Sequence, residues 1–503
     1  MTPSHIRRIV IVGGGSAGWM AAASLSRLVG RAASEVVLIE SSAIGTVGVG
    51  EATLPTIRIF NQAQGIDEID FMCRTNATFK LGIEFCDWQR PGHTFFHGFG
   101  DFGPSIEGVS PHQLWLATRD AGDEAGYENQ SITSVAARLR AFAPPVPNPG
   151  SVLGSYSYAF HFDAGLYAAF LRGLAEHRGV TRIDANIVDV RLRPEDGFIQ
   201  AVVLNDGREI EGDLFIDCSG FASLLLGKTL GIAFDDWSQY LPVNRAWAVP
   251  CERTATTTPF TRSTAREAGW QWRIPLQNRI GNGHVFCDAF MPETKAADIL
   301  MANLDGQAQA DPRLIRFTTG RRKTTWHKNC VALGLSSGFL EPLESTSIYM
   351  VEAGIGRLIE LFPDRHFEPR LADEYNRQMS VNQESIRDFI ILHYCLSKRE
   401  GPFWEHFRTL ALPDTLRHQI DLFRTTGRVA INDAKSFAES SWVAIFLGQG
   451  LRPLRHDPLV ELLDKAKVRR ELDRRKGLIE GAARSLPPHD QFISRFVAAA
   501  RAG

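Results

Sequence analysis

Apolar and polar positions repeat with two periods along this chain, and each period predicts an element type. Ile9-Val10-Ile11-Val12 is a short, wholly apolar run and predicts a buried strand. After Gly13-Gly14-Gly15-Ser16-Ala17-Gly18, a run rich in Ala, Met and Leu to Val29 has the length of a helix. Val36-Val37-Leu38-Ile39-Glu40 then predicts a second buried strand, so residues 9–40 form a βαβ unit. Residues 56–70 read as helix. Phe79, Leu81, Ile83 and Phe85 alternate with Lys80, Gly82 and Glu84, the period of a half-buried strand, which turns Lys80 away from the main core. Ala143-Pro144-Pro145-Val146-Pro147-Asn148-Pro149-Gly150 continues neither helix nor central strand and predicts a linker or surface crossing. Asp163 suits an N-cap, and Leu166, Phe170, Leu171 and Leu174 give the adjoining helix its apolar stripe. Strands are predicted at 187–192 and 199–204, a turn at Asp206-Gly207, a third strand near Ile210, and a buried strand at 213–218. Trp270, Trp272 and Ile274 share one strand face. Gly281-Asn282-Gly283 predicts a hairpin turn that returns through Val285 and Phe286. A strand at 330–333 and a loop at 334–344 precede a helix with Ile348, Val351, Ile355, Leu358 and Ile359 on one side. From about residue 370 the pattern is mostly helical, with helices at 374–396, 459–482 and 490–500.

Composition adds bounds. The chain has 503 residues, enough for about three domains at roughly 150 residues each. Hydrophobic residues make up 44% and charged residues 22%, an ordinary globular balance. A formal net charge of -2 gives no reason to expect nucleic acid or an anionic membrane as partner. The seven cysteines are scattered and form no C-x-x-C, which argues against a disulfide framework or a metal site and for a reducing cytoplasm. The first apolar run is too short for a signal peptide, and no apolar stretch is long enough to span a bilayer.

Spacing brings out the candidate chemistry. In Gly13-x-Gly15-x-x-Gly18 the first glycine permits a tight turn, the second lets backbone approach a pyrophosphate, and the third lets helix and strand pack closely. Ser16, Ala17 and Gly18 open the helix, whose free N–H groups and positive dipole end suit phosphates. Glu40, ending the second strand, is placed to accept from a ribose diol. These residues alone do not separate FAD from NAD. Val47-Gly48-Val49-Gly50-Glu51-Ala52-Thr53-Leu54-Pro55 is either backbone passing close to a flat group or a plain loop. Lys80 is a solvated charge unless its face lines a cavity. Residues 95–102 hold four phenylalanines, Phe96 among them, with His97, and form a pocket lip or a packed loop. Asp217-Cys218-Ser219-Gly220 ends a strand where doubly wound sheets take cofactors. Trp270 and Trp272 make a rigid wall or ordinary core. Thr346 and Ser347 supply first-turn N–H groups suited to a small anion, or Glu344 and Ser345 simply cap the helix.

Five strings combine in one order: the 13–18 turn; Gly48-Val49-Gly50-Glu51-Ala52-Thr53-Leu54-Pro55; Asn76-Ala77-Thr78-Phe79-Lys80-Leu81-Gly82; Trp270-Gln271-Trp272-Arg273-Ile274-Pro275; and Phe339-Leu340-Glu341-Pro342-Leu343-Glu344-Ser345-Thr346. With them the chain resembles the flavin-dependent halogenases of the tryptophan halogenase family. The resemblance implies an α/β fold: a Rossmann-like, hydroxylase-type flavin module with mixed sheets, and a mostly helical C-terminal substrate region. It implies an FAD-binding halogenase core at 1–365, with pocket insertions around 85–160 and a β-rich section around 235–295, and a helical covering region at 366–503. FAD, bound as FADH2, would contact Gly13, Gly15, Ser16, Ala17, Gly18, Glu40, Gly50, Glu51, Val188, Asp217, Leu335 and Ile348. Its C4a-hydroperoxide, formed with O2, would oxidise a halide ion held by Thr346 and Ser347. The resulting hypohalous acid would pass through an internal tunnel to Lys80, the catalytic lysine, with Glu344 orienting the electrophile and accepting the ring proton. Phe96, His97, Trp270 and Trp272 would line the substrate pocket, the two tryptophans keeping substrate off the flavin. A separate NAD(P)H-dependent flavin reductase would supply FADH2. Tryptophan-specific members hold the amino acid's backbone end with aromatic and acidic residues of an insert. The corresponding segment here, 425–442, is shorter and offers Ser436-Phe437-Ala438-Glu439-Ser440-Ser441. The expected substrate is therefore indole or an indole derivative rather than free tryptophan. The alternative is a flavin-dependent aromatic hydroxylase, against which the tryptophan wall argues.

Overall fold

The computed structural model describes residues 4–43, 50–119, 126–148, 150–430 and 436–502. In it the strand Arg8–Val12 lies inside a six-stranded sheet. The spatial order is Trp326–His327, Cys330–Ala332, Leu214–Asp217, Arg8–Val12, Glu35–Glu40 and Thr181–Asp184. Neighbours pair in parallel except Trp326–His327, which runs antiparallel to Cys330–Ala332. Central parallel strands are covered on both faces, which is why these segments read as unbroken apolar runs. Val10, Val12, Val37, Ile39, Phe215 and Ala332 share one buried cluster with Ile199, Val202 and Leu204. The chain leaves Arg8–Val12 toward Glu35–Glu40 on one side and has Leu214–Asp217 on the other. The crevice at its carboxyl end is thus the switch point where such sheets take ligand.

The chain forms two compact units. The first is built from Met1–Ala77, Phe162–Pro242 and Phe317–Gln383, and the second from Thr78–His161, Val243–Arg316 and Glu384–Gly503. The first unit holds the parallel sheet and an antiparallel one of Ile187–Leu192, Ile199–Leu204 and Glu209–Glu211, the predicted hairpin and third strand. The predicted cap at Asp163 is present, its Oδ1 accepting from the Leu166 N–H at 3.0 Å. The second unit holds a seven-stranded sheet in the order Arg313–Arg316, Arg245–Glu252, Arg279–Phe286, Gly269–Pro275, Thr261–Arg266, Gly82–Cys86 and Thr94–Gly98. Its C-terminal helices include Asp414–Thr426, Glu439–Gly448, Lys465–Ser485 and His489–Ala502. The long predicted helix is Pro369–Cys395. Among the described residues no helix is long and apolar enough to cross a membrane.

Several expected elements differ. Residues 56–70 are not one helix: Thr56–Ala63 stops at a turn where Gly65 has φ +69°, and Glu68–Thr75 restarts with Asp67 as cap. The helix expected from 459 begins at Lys465, because Pro458 opens only a short 3-10 turn and Asp464 caps the helix proper. The alternation from Phe79 to Phe85 is not one strand either. Thr78–Lys80 pairs antiparallel with Ala159–Asp163, and Gly82–Cys86 enters the seven-stranded sheet. Between them the Leu81 N–H donates to the Pro259 carbonyl at 2.7 Å, and the Leu81 carbonyl accepts from Phe99 N–H at 2.9 Å. The hairpin expected at Gly281-Asn282-Gly283 is absent. These residues lie mid-strand in Arg279–Phe286, and the turn falls earlier, where Leu276 N–H donates to the Arg279 carbonyl. The glycine has a packing reason: a Cβ on Gly283 would stand 2.1 Å from the Trp272 ring and 2.5 Å from the Trp247 carbonyl oxygen.

Packing and burial lead to two expected outcomes. Gly283→Ala forces the Trp272 ring from its seat, and we expect a loss of about 1–3 kcal/mol in urea unfolding. A midpoint equal to wild type would show that the ring moves at no cost. In the first unit, Glu352 has a carboxylate oxygen with no partner among the described residues, and burial pushes its carboxyl up to about 8, opposed only in part by Thr56. Burial likewise pushes Glu51 up to about 7. The folded chain keeps these protons where an unfolded carboxyl near 4.5 has lost them, so raising pH from about 5 to about 8 favours unfolding. Calorimetric midpoints of the flavin-free protein should fall over that window, and less steeply in Glu352→Gln. Equal slopes would exclude Glu352 as a contributor.

Candidate active site

In the first unit the glycine turn forms a cradle. Gly13 has φ +110°, and a Cβ there would stand 2.1 Å from the Cys218 carbonyl oxygen. A Cβ on Gly18 would stand 1.9 Å from the Gly13 carbonyl oxygen, so helix Ser16–Ala33 leaves the turn only with glycine at 18. At Gly15 a Cβ would meet nothing within 4 Å, so the turn faces open space where backbone approaches a pyrophosphate. Gly14, passed over by the three-glycine spacing, makes room for the acid: its Cβ would lie 1.5 Å from Glu40 Oε2. The other Glu40 oxygen takes Arg182 Nε at 2.5 Å. This cradle of open backbone and a placed carboxylate fits the diphosphate and ribose of a dinucleotide such as FAD.

Other expected flavin contacts divide. Gly334, with φ +63°, lies against Ala17: a Cβ there would be 2.9 Å from Ala17 Cβ. This brings the half-buried Leu335 to the cradle helix. Ile348 is buried in helix Thr346–Glu360, which packs on the same helix. Gly50 is buried and Glu51 half-buried in strand Gly50–Ala52, while Val47, Gly48 and Val49 lie outside the described residues. Val188 is 64% exposed, three residues beyond Ala185, whose N–H donates to the Glu40 carbonyl. Asp217 is fully buried, and its carboxylate accepts from Ser219 N and Oγ and from Leu225 and Leu226 N–H, at 2.6–3.0 Å. Its charge is spent shaping its own loop.

Glu344 ends a 3-10 turn, Pro342–Glu344, and is fully buried. Ser345 then adopts left-handed φ 60° and ψ 36° before helix Thr346–Glu360, and its side chain makes no cap hydrogen bond. A left-handed serine is strained by roughly 1–2 kcal/mol. It reverses the chain so sharply that the Thr346 and Ser347 N–H groups head the helix without a serine cap. The capping alternative does not hold for Ser345, and no sequence signal marks its conformation.

In the second unit Lys80 is fully buried, which excludes the solvated reading. Its Nζ lies 5.2 Å from the centroid of the Phe99 ring. Phe96 and His97 are buried in strand Thr94–Gly98, Phe96 edge-on to Phe260 at 5.8 Å and His97 against Phe389 at 5.9 Å. Phe95 and Phe102 are stacking partners of Phe85 and Tyr127. Trp270 and Trp272 lie 6.1 Å apart, Trp270 joining an aromatic cluster with Trp88 and Trp272 filling the space over Gly283. His161 shares the Lys80 face, and the sequence pattern does not single it out; its only signal is the alternation Ala159-Phe160-His161-Phe162-Asp163. Among the described residues no group of three or more His, Cys, Asp or Glu side chains is placed to hold a metal.

The sequence pattern of the tryptophan halogenase family matches residues 8–465. Tryptophan 6-halogenase SttH of Streptomyces toxytricini is 36% identical over 521 residues, spanning 97% of this chain and 98% of that protein. The structure of BrvH, a flavin-dependent halogenase from Brevundimonas sp. BAL3, superposes with a TM-score of 0.94 at 47% identity, covering 98% of this chain and 100% of that one. Xcc4156, a flavin-dependent halogenase from Xanthomonas campestris, gives 0.93 at 44% identity and 98% of each chain. With the mixed α/β fold, the dinucleotide cradle and the buried lysine all present, the chain belongs to the tryptophan halogenase family and is a flavin-dependent halogenase, an oxidoreductase that uses FADH2 and O2 to halogenate an aromatic substrate.

Proposed function

We propose that this halogenase acts on indole or an indole derivative rather than on free tryptophan, with chloride or bromide as halide. The observation that carries the reading is how the 425–442 segment spends its side chains. Phe437 stacks on Phe389 at 3.9 Å and Trp442 meets the same ring edge-on at 4.9 Å. Glu439 accepts from Ser110 Oγ at 3.2 Å. The aromatic and acidic groups that would hold an amino acid's backbone end are thus committed to protein contacts; residues 431–435 lie outside the described residues. Identity is also higher to BrvH and Xcc4156, named as flavin-dependent halogenases with no substrate specified, than to the tryptophan halogenase SttH.

Reduced FAD, when bound in the cradle, supplies with O2 the oxidising equivalents that turn halide into hypohalous acid. The Thr346 and Ser347 N–H groups hold the halide, as the positive end of a helix suits a small anion. Lys80 receives the hypohalous acid, either by donating a hydrogen bond to it or, as free amine, by forming a haloamine with loss of water. Desolvation makes an amine readier for the second role. Glu344 orients the electrophile and accepts the ring proton. Trp270 and Trp272 keep substrate from the flavin, and Phe96 and His97 line the aromatic's pocket. Residues 1–365 serve as catalytic core and 366–503 as cover over the substrate. A separate NAD(P)H-dependent flavin reductase supplies FADH2 in the cytoplasm.

The test is product mass after incubation with a flavin reductase, NADH, FAD, halide and either indole or tryptophan. Wild type should halogenate indole with the higher kcat/KM, and a preference for tryptophan would overturn the substrate reading. Lys80→Ala should lower the halogenated product by about 10²-fold or more. Equal product from both proteins would remove Lys80 from the mechanism, and a halide-independent product heavier by one oxygen would indicate hydroxylation instead.

A further inference from the structure

Thr78–Lys80 pairs with Ala159–Asp163 so that Thr78 faces His161, Phe79 faces Phe160 and Lys80 faces Ala159. Directly opposed residues share a sheet face. One face is aromatic: Phe79 lies within 6.1 Å of Phe142, Tyr158, Phe160, His489 and Phe492, centroid to centroid. The other carries Thr78, Lys80 and His161, all fully buried. Ala159 leaves room beside the lysine.

The hydrogen bonds on that polar face run in one direction. Thr78 Oγ1 lies 2.7 Å from the Pro275 carbonyl, which can only accept, so the hydroxyl proton points there. Thr78 Oγ1 must then accept from His161 Nδ1–H at 3.0 Å. At the other end of the ring, Nε2 lies 2.9 Å from Thr261 Oγ1. Burial, then the charge of Lys80, with His489 and Arg273 adding to it, pushes His161 well below the usual histidine range. His489 is itself pushed down to about 4 by burial, and Arg273 pairs with Asp305. The imidazole is therefore neutral, Thr261 donates to Nε2, and the proton sits on Nδ1.

We propose that His161 is a positioning residue for Lys80: locked as the neutral Nδ1–H tautomer between Thr78 and Thr261, it fixes the strand pair that carries the lysine and adds no second positive charge to its face. The proposal rests on the reading of Lys80 as receiver of the hypohalous acid. A cation at His161 would repel the Lys80 ammonium. An untethered ring would let Thr78–Lys80 shift, and misplacement by about 1 Å costs on the order of 10²-fold in rate.

The experiment measures two products from the complete system of protein, reductase, NADH, FAD, O2 and bromide: bromoindole, and the bromination of a 1,3-diketone trap that reports hypohalous acid released to solvent. In His161→Leu, bromoindole should fall about tenfold to hundredfold at a KM for indole within about threefold of wild type, while trap bromination persists. His161→Gln, which keeps a donor and an acceptor, should recover most of the bromoindole. Loss of both products in parallel would mark a merely structural role and overturn the proposal, as would unchanged bromoindole. If His161→Leu does not fold, Thr261→Val removes the donor to Nε2 without changing shape. It should show the same split, and wild-type behaviour there would overturn the proposal. Lys80→Ala is run alongside: if it still makes bromoindole, the Lys80 reading has failed, whereas loss in Lys80→Ala with no loss in His161→Leu fails this proposal alone.

Discussion

A lysine amine that no water reaches is the constraint on the second unit. Removing an ammonium from water costs several kcal/mol unless its surroundings offset it. Its surroundings include a Phe99 ring 5.2 Å from Nζ and a polar sheet face shared with Thr78 and His161. Register is the weak point of such an arrangement, because a slip of one residue moves every side chain to the opposite face. Here a slip would drive Lys80 into the aromatic cluster around Phe79. The Thr78 hydroxyl on Pro275, the His161 ring between two threonines, and Leu81 held between Pro259 and Phe99 pin the strand from both ends. Gly82 completes the anchoring, since a Cβ there would stand 2.2 Å from the His97 carbonyl oxygen. Strand Gly82–Cys86, which follows the lysine's strand after Leu81, is thus held close against the strand bearing Phe96 and His97.

What was legible in the sequence was local. The βαβ unit, the hairpin over 187–204, the Asp163 cap and the helix opening at Thr346 each depend on neighbours within a few residues, and each is present. What was not legible depended on other segments. Alternation told which way Lys80 turns, but not that a sealed interior lies on that side. Gly281-Asn282-Gly283 has turn composition, yet Gly283 is fixed by the Trp272 ring, which lies earlier in the chain and opposite it in the sheet. The composition of segment 425–442 does not show that Phe437 and Trp442 both pack on the Phe389 ring.

Glycine does two kinds of work in this chain. At Gly13 it supplies a positive φ that an L side chain resists. At Gly14, Gly18, Gly82 and Gly283 it supplies absent volume. The first use, and the volume left at Gly18 within the same turn, form a recognisable motif, whereas the volume left at Gly82 and Gly283 is set by distant segments that the fold brings opposite.

If Thr346 and Ser347 hold the halide, as proposed, the charge along helix Thr346–Glu360 bears on that binding. Its first turn offers N–H groups beyond the strained Ser345, and Glu352 sits five or six residues further along. At 1.5 Å rise per residue that is about 9 Å along the axis. A unit negative charge at that distance would oppose a halide at Thr346 and Ser347 by about 2 kcal/mol at an effective dielectric of 20. Burial removes that opposition, because a Glu352 carboxyl pushed up to about 8 keeps its proton at neutral pH. Burial, with one oxygen lacking a hydrogen-bond partner among the described residues, keeps the group neutral, and under the proposed reading that neutrality leaves the dipole of the helix to the halide.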